Sequence, residues 1–164
     1  MLAQKFAQLF HEEHRQVRDL LLDLQQAFEQ RDNTRAQQIV DQIAKLTGPH
    51  FRYEEESVYP LLVSIFGEEY VDKLLSDHDR VIASAKRLAS LAQTSPLDEE
   101  HVNEARTLVR SVLPHVSDCD GLSIMVERLP EEQVSNILQS RARALAEGLD
   151  LTRWASEVRR RRLN

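Results

Sequence analysis

The sequence predicts an all-α protein: an up-down-up-down four-helix bundle with an additional short C-terminal helical segment. Three observations carry the prediction. Apolar residues recur at spacings of three and four through four long stretches, the signature of helices with one buried face. Helix breakers are scarce, with 4 glycines and 5 prolines in 164 residues, against many Leu, Ala, Gln, Glu and Arg, which favour helices. The breaks between stretches are short, as antiparallel neighbours in a bundle require.

The first helix is expected over about residues 3–30, with Phe6, Leu9, Phe10, Val17, Leu20, Leu21, Leu24 and Phe28 on one stripe. Arg31-Asp32-Asn33 interrupts it, and Asp32 or Asn33 can cap the next helix. The second helix is expected from about Thr34 to Ile65, with Ile39, Val40, Ile43, Leu46, Phe51, Val58, Leu61 and Leu62 inward. Pro49 has no N–H to donate, so a kink or split is expected immediately before His50, and Pro60 predicts a second bend one turn past the carboxylates. Gly67 ends that stretch, and Glu68-Glu69 open a third helix through about Ala92. After the Thr94-Ser95-Pro96 loop, the fourth helix is expected over about 97–129, with Gly121 a weak point late in it. Pro130 before Glu131-Glu132 reads as a fresh start, because proline suits a first helical turn and acids suit its positive end. A short fifth helix to about Ala146, then Gly148 and an amphipathic turn around Trp154, complete the chain. Residues 1–129 are thus read as the bundle, and residues 130–164 as an extension packed on it or trailing it.

Charge and cysteine usage narrow the function classes. A net charge of −6 argues against nucleic acid as a partner, since polyanion binding needs a basic face. The run Arg159-Arg160-Arg161-Arg162 reads as a solvated end. One cysteine excludes an intrachain disulfide and fits a reducing compartment. No segment reaches the roughly 20 apolar residues of a membrane helix, and the N-terminus lacks the apolar region of a signal peptide. The expected location is cytoplasmic.

The chemistry concentrates in Pro49-His50-Phe51-Arg52-Tyr53-Glu54, which has a partial echo at Pro114-His115-Val116-Ser117-Asp118-Cys119. On a helix, residues four apart lie about 40° apart around the axis, so His50 and Glu54 can face one object. A second echo joins Glu13-His14 to Asp77-His78. The offsets agree: 78 − 14 = 64 and 115 − 50 = 65. A helix pair duplicated about a two-fold axis would aim His14, His50, His78 and His115 at one centre. Mixed nitrogen and oxygen donors suit iron, manganese or zinc, and ligands from four helices exceed what one tetrahedral zinc uses. Two metals fit better than one. A haem between paired histidines leaves Glu54 unexplained.

These residues resemble the hemerythrin-like, or HHE cation-binding, family across roughly residues 5–130. The matching signatures are Glu-Glu-His-Arg at 12–15, His-Phe-Arg-Tyr-Glu-Glu at 50–55 followed by Val-Tyr-Pro, Asp-His at 77–78 and Pro-His at 114–115. The resemblance implies a carboxylate-bridged, non-haem centre of two iron ions, with His14, His50, Glu54, His78 and His115 as ligands and Glu54 bridging. It implies a protein that binds, senses or carries a small diatomic ligand, dioxygen or nitric oxide, or that handles iron. Related centres also reduce peroxide or nitric oxide, so a di-iron enzyme and a metal-depleted helical scaffold stand as alternatives.

The sequence departs from the family's pattern at two places. The family's last helix carries a carboxylate four or five residues after its histidine, and here Cys119 stands at four and Asp120 at five. Asp120 is the preferred replacement ligand, although five residues is about 140° around an ideal helix, so it needs a local distortion that Gly121 could permit. Asp118 competes with it. Cys119 reads either as a small buried hydrophobe or as a thiolate beside the metals. Leu74 occupies a position where oxygen-carrying hemerythrins have a further histidine. His11 is a candidate substitute, or else it faces surface water. Tyr53, Tyr59 and Tyr70 could supply a hydroxyl near the site, although core packing is the default. Glu55 and Glu56 read as solvent-facing, with Glu55 worth testing because it aligns with Asp120. His101 reads as solvated among its acidic neighbours.

Overall fold

The computed structural model describes residues 1–161. Four bundle helices follow the apolar stripes: α1 (Leu2–Glu29), α2 (Asn33–Tyr53), α4 (Glu68–Ala92) and α5 (Glu99–Asp120). Short α3 (Tyr59–Phe66) continues α2. Neighbouring helices in the bundle are α1 and α2, α2 and α4, α4 and α5, and α5 and α1, which closes an antiparallel square. No strand is present among the described residues.

The caps have identifiable causes. Asp32 accepts from the Arg35 backbone N–H at the start of α2. At the start of α5, Asp98 accepts from the His101 N–H while the His101 ring accepts from the Asp98 N–H. His101, expected to be merely solvated, therefore closes a capping box.

Pro49 does not break its helix: α2 runs through it to Tyr53. The irregularity falls later, as a π-helical turn over Glu54–Val58. Pro60, just beyond, supplies a reason. It cannot donate an i→i−4 bond and its ring crowds the carbonyl of residue 56, and one extra residue in the turn relieves both. The irregularity expected one turn past the carboxylates therefore falls at the carboxylates themselves, since the turn contains Glu54, Glu55 and Glu56. Its consequence is functional, because the Tyr59 N–H bonds back to the Glu54 carbonyl and returns Tyr59 to the side of Glu54.

The expected fourth helix ends early. α5 stops at Asp120 and a tight turn leads to α6 (Ser123–Val126). The C-terminal segment then forms α7 (Glu131–Glu147) and α8 (Leu151–Glu157). α7 packs on α1, α2 and the π-turn, and α8 lies across α2 and α4. Gly148, at φ 62°, supplies the left-handed residue between them.

Gly48 lets this segment dock. A Cβ on it would stand 2.2 Å from the Leu149 carbonyl oxygen and 2.5 Å from the Asp150 carbonyl carbon. Gly48→Ala is expected to destabilise the fold by about 1–3 kcal/mol and to raise amide hydrogen exchange selectively over 149–161. Unchanged protection there would show that α8 does not rest on this contact.

Candidate metal centre

The four histidines meet in the buried middle of the bundle, with His14, His50, His78 and His115 exposed by no more than 8%. Glu54 lies among them and is completely buried. Its two oxygens face different partners. Oε1 stands 3.0 Å from His50 Nε2 and 3.8 Å from His14 Nε2, while Oε2 stands 3.2 Å from His78 Nε2. Phe51 stacks on His78 with ring centroids 3.8 Å apart, and His115 meets the His78 ring edge-on at 4.9 Å.

The outer nitrogens show how the rings are held. His50 Nδ1 is 2.7 Å from Glu13 and His78 Nδ1 is 2.8 Å from Glu55. His14 Nδ1 is 2.7 Å from the Phe10 carbonyl and 3.7 Å from Asp120. His115 Nδ1 is 3.7 Å from Asp77 and is buried with no hydrogen-bond partner among the described residues. A carboxylate thus stands behind every ring, and the pairs follow the internal repeat: Glu13 and Asp77 behind His50 and His115, Glu55 and Asp120 behind His78 and His14. Such outer acceptors fix the tautomer and leave Nε2 free to bind a metal.

The halves differ in tightness. Glu13 accepts from Arg141 of α7 at 2.7 Å and from the Tyr53 hydroxyl at 2.5 Å. Glu55 is gripped by the Arg159 guanidinium at 2.8 to 3.1 Å, and Arg159 also reaches Asp79 at 2.7 Å. The expectation of a solvated arginine run fails here, because Arg159 is 1% exposed and lies over the Trp154 ring. Arg161 pairs with Asp72 and Asp79, and Arg162 lies outside the described residues. Glu55 is likewise not solvent-facing, whereas Glu56 is exposed and pairs with Arg52. Asp77 and Asp120 have no buried arginine among their described partners.

Asp120 does not join the Nε2 side of the cluster. α5 stays regular through it and Gly121 remains right-handed, so the five-residue spacing turns Asp120 toward α1, where His11 Nδ1 meets it at 2.5 Å. His11 is half-exposed and serves Asp120 and Ser123. Asp118 is exposed on the groove beside Asp77. Cys119 takes the inward place instead. Its thiol is buried and lies 2.9 Å from Glu54 Oε1, and ligand atoms of His14, Glu54 and Cys119 lie within 4.8 Å of one another. Burial and then the Glu54 charge push this thiol well up, so in the metal-free chain Cys119 is a neutral donor to Glu54. Leu74 is fully buried in the apolar cluster below the site.

Glu13 and Asp77 are not among the expected site residues, although the repeat places an acid directly before a histidine in both halves. Tyr59, expected to pack in the core by default, also stands at the site. The Tyr59 hydroxyl stands 3.0 Å from His78 Nε2 and 3.5 Å from Glu54 Oε2. Tyr70 stacks on Phe66 away from the site.

Burial penalises the His50 cation, but Glu54 and Glu13 outweigh it and push its pKa up to about 10. His78 is raised against burial by Glu54 and Glu55. Burial, then repulsion from His78, brings His115 down to about 4, and burial with repulsion from His50 lowers His14. The signs oppose. A raised pKa stabilises fully below the unfolded value and is lost as pH rises through about 10 for His50. A lowered pKa costs stability as pH falls from 6.5 toward about 4 for His115, because the unfolded chain takes the proton first. Metal-stripped protein is therefore expected to be most stable near pH 6.5, with urea midpoints falling on both sides, and His115→Gln should flatten the acid side. A midpoint rising steadily from pH 5 to 9 would contradict this assignment.

A family model described as the hemerythrin HHE cation binding domain matches residues 5–122. No curated protein and no solved structure matches the chain significantly. The match spans α1 to α5 and contains all four histidines, Glu54 and Cys119, so the domain that binds the cation is the bundle just described. The chain belongs to the hemerythrin HHE cation-binding domain family.

Proposed function

We propose that the bundle holds two non-haem iron ions bridged by Glu54, and that the centre binds, senses or carries dioxygen or nitric oxide. The observation that supports this reading is the division of the Glu54 carboxylate. One oxygen faces His14 and His50 and the other faces His78, with His115 beside it. A carboxylate divided in this way suits two cations. The donor set fits iron: imidazole nitrogens and carboxylate oxygen with a single thiol, each histidine backed by an outer carboxylate. Bound iron would supply open coordination positions and a change of oxidation state. The chain's own residues would orient the imidazoles, exclude water through Phe10, Phe51 and Tyr53, and present Tyr59 and Cys119 as proton donors beside Glu54.

Cytoplasmic placement belongs to the same proposal: Cys119 is a free thiol, and no described helix is long and apolar enough to cross a membrane. The net charge of −6 argues against nucleic acid as a partner. The two proton donors favour one alternative, an enzyme that reduces peroxide or nitric oxide, and steady-state turnover with either would select it.

Anaerobic titration with ferrous iron is expected to saturate at about two ions per chain and, on admission of air, to give a visible charge-transfer band with no Soret band. Glu54→Gln should lower the stoichiometry to one or less while far-ultraviolet dichroism stays helical. Retention of two ions by Glu54→Gln, or saturation of the wild type below about 0.2 ions per chain, would overturn the proposal.

A further inference from the structure

A cavity of about 170 Å³ runs from His14, His50 and His115 up the middle of the bundle. Between the histidine end and the rim its wall is mostly aliphatic, built by residues such as Val17, Leu21, Ile43, Leu88, Val112 and Val116. Ala44, Ala85 and Ala89 face the cavity from α2 and α4, and their short side chains leave it unfilled. Its charged and hydroxyl-bearing lining groups apart from the histidines are Asp41, Asp150, Thr47 and Thr152. Of these, Asp41 and Thr152 are exposed at the rim. α8 supplies Leu151 to the wall.

The size decides what belongs there. A diatomic molecule is about as large as one water, whose share of liquid volume is about 30 Å³, and an aliphatic cavity of about 150 Å³ stays dry and accepts benzene. Asp41 and Thr152 lie at the exposed rim, Asp150 accepts from the Arg153 N–H and Thr47 donates to the Ile43 carbonyl, and the imidazoles stand at one end, so along the rest of the wall a polar occupant would lose its hydration uncompensated. We propose that this cavity is a binding site for an uncharged, apolar organic molecule of about six to eight heavy atoms, seated with one end against the imidazoles of His14, His50 and His115. The centre of the bundle then meets two ligands, a metal-bound diatomic and an apolar organic molecule beside it. The proposal extends the reading of the bundle as a metal site, but the cavity exists without the metal.

Toluene is the probe, added to full-length protein with and without iron while backbone and methyl resonances are followed. Saturable shifts centred on Ala85, Leu88, Val112 and Leu151 are expected. Ala85→Leu should weaken binding at least tenfold, and Val112→Met, which fills the cavity from the neighbouring helix α5 with a flexible side chain, should do likewise. Absence of saturable shifts in the wild type, or equal affinity in both variants with their folds intact, would overturn the proposal. Toluene binding by a chain that takes up no iron would sustain the cavity and defeat the metal reading, so the two failures are distinct.

Discussion

The structure depends on the burial of one charge. Glu54 has no exposed surface, and a carboxylate removed from water is tolerated only when cations and donors surround it. His50, His78, Cys119 and, at longer range, His14 and Tyr59 surround it from the five helices α1 to α5. Burial works to raise its pKa, yet the His50 and His78 partners hold it well below the usual carboxylate range. The bundle is in this sense assembled around an anion, and protons on His50 and His78 supply the positive charge when no metal does. The π-turn belongs to the same constraint, because it begins at Glu54 and brings Tyr59 back beside it.

A second layer of charge controls the first. Each histidine has a carboxylate behind it, and in the two tight pairs, Glu13 with His50 and Glu55 with His78, the carboxylate is held by an arginine of the C-terminal segment, whereas Asp77 pairs with the exposed Arg80. Both arginines come from beyond the matched family domain, Arg141 from α7 and Arg159 from just past α8. Removing either would leave a largely buried carboxylate short of a partner, a change that typically costs about 3–5 kcal/mol. The C-terminal segment is therefore part of the site's electrostatics as well as its cover. Asp77 and Asp120 stand 3.7 Å from their histidines, so the internal symmetry survives in position and is lost in strength.

Much of this is legible in the sequence. Apolar spacing locates the bundle helices, and matched offsets bring out four histidines that share one centre. The rest needs three dimensions. Pro49 and Pro60 look equivalent as letters, yet α2 accommodates the first and the chain widens its turn ahead of the second. The family's pattern calls for a carboxylate and so favours Asp120, but a helix that stays regular turns residue 120 away and residue 119 inward. Arg159 reads as a solvated end because nothing local reveals that Glu55, 104 positions earlier, lies where it docks. The cavity is invisible for a similar reason, since it arises from short side chains on separate helices that no single stretch displays.

X-ray absorption on the iron-loaded protein distinguishes the proposed pair of ions bridged by Glu54 from isolated metal. An iron–iron scattering path at about 3.5–4 Å is expected, together with nitrogen and oxygen scatterers in the first shell, and loss of that path in Glu54→Gln. A spectrum of isolated iron with light-atom scatterers alone, in protein saturated with the metal, would contradict the bridged pair.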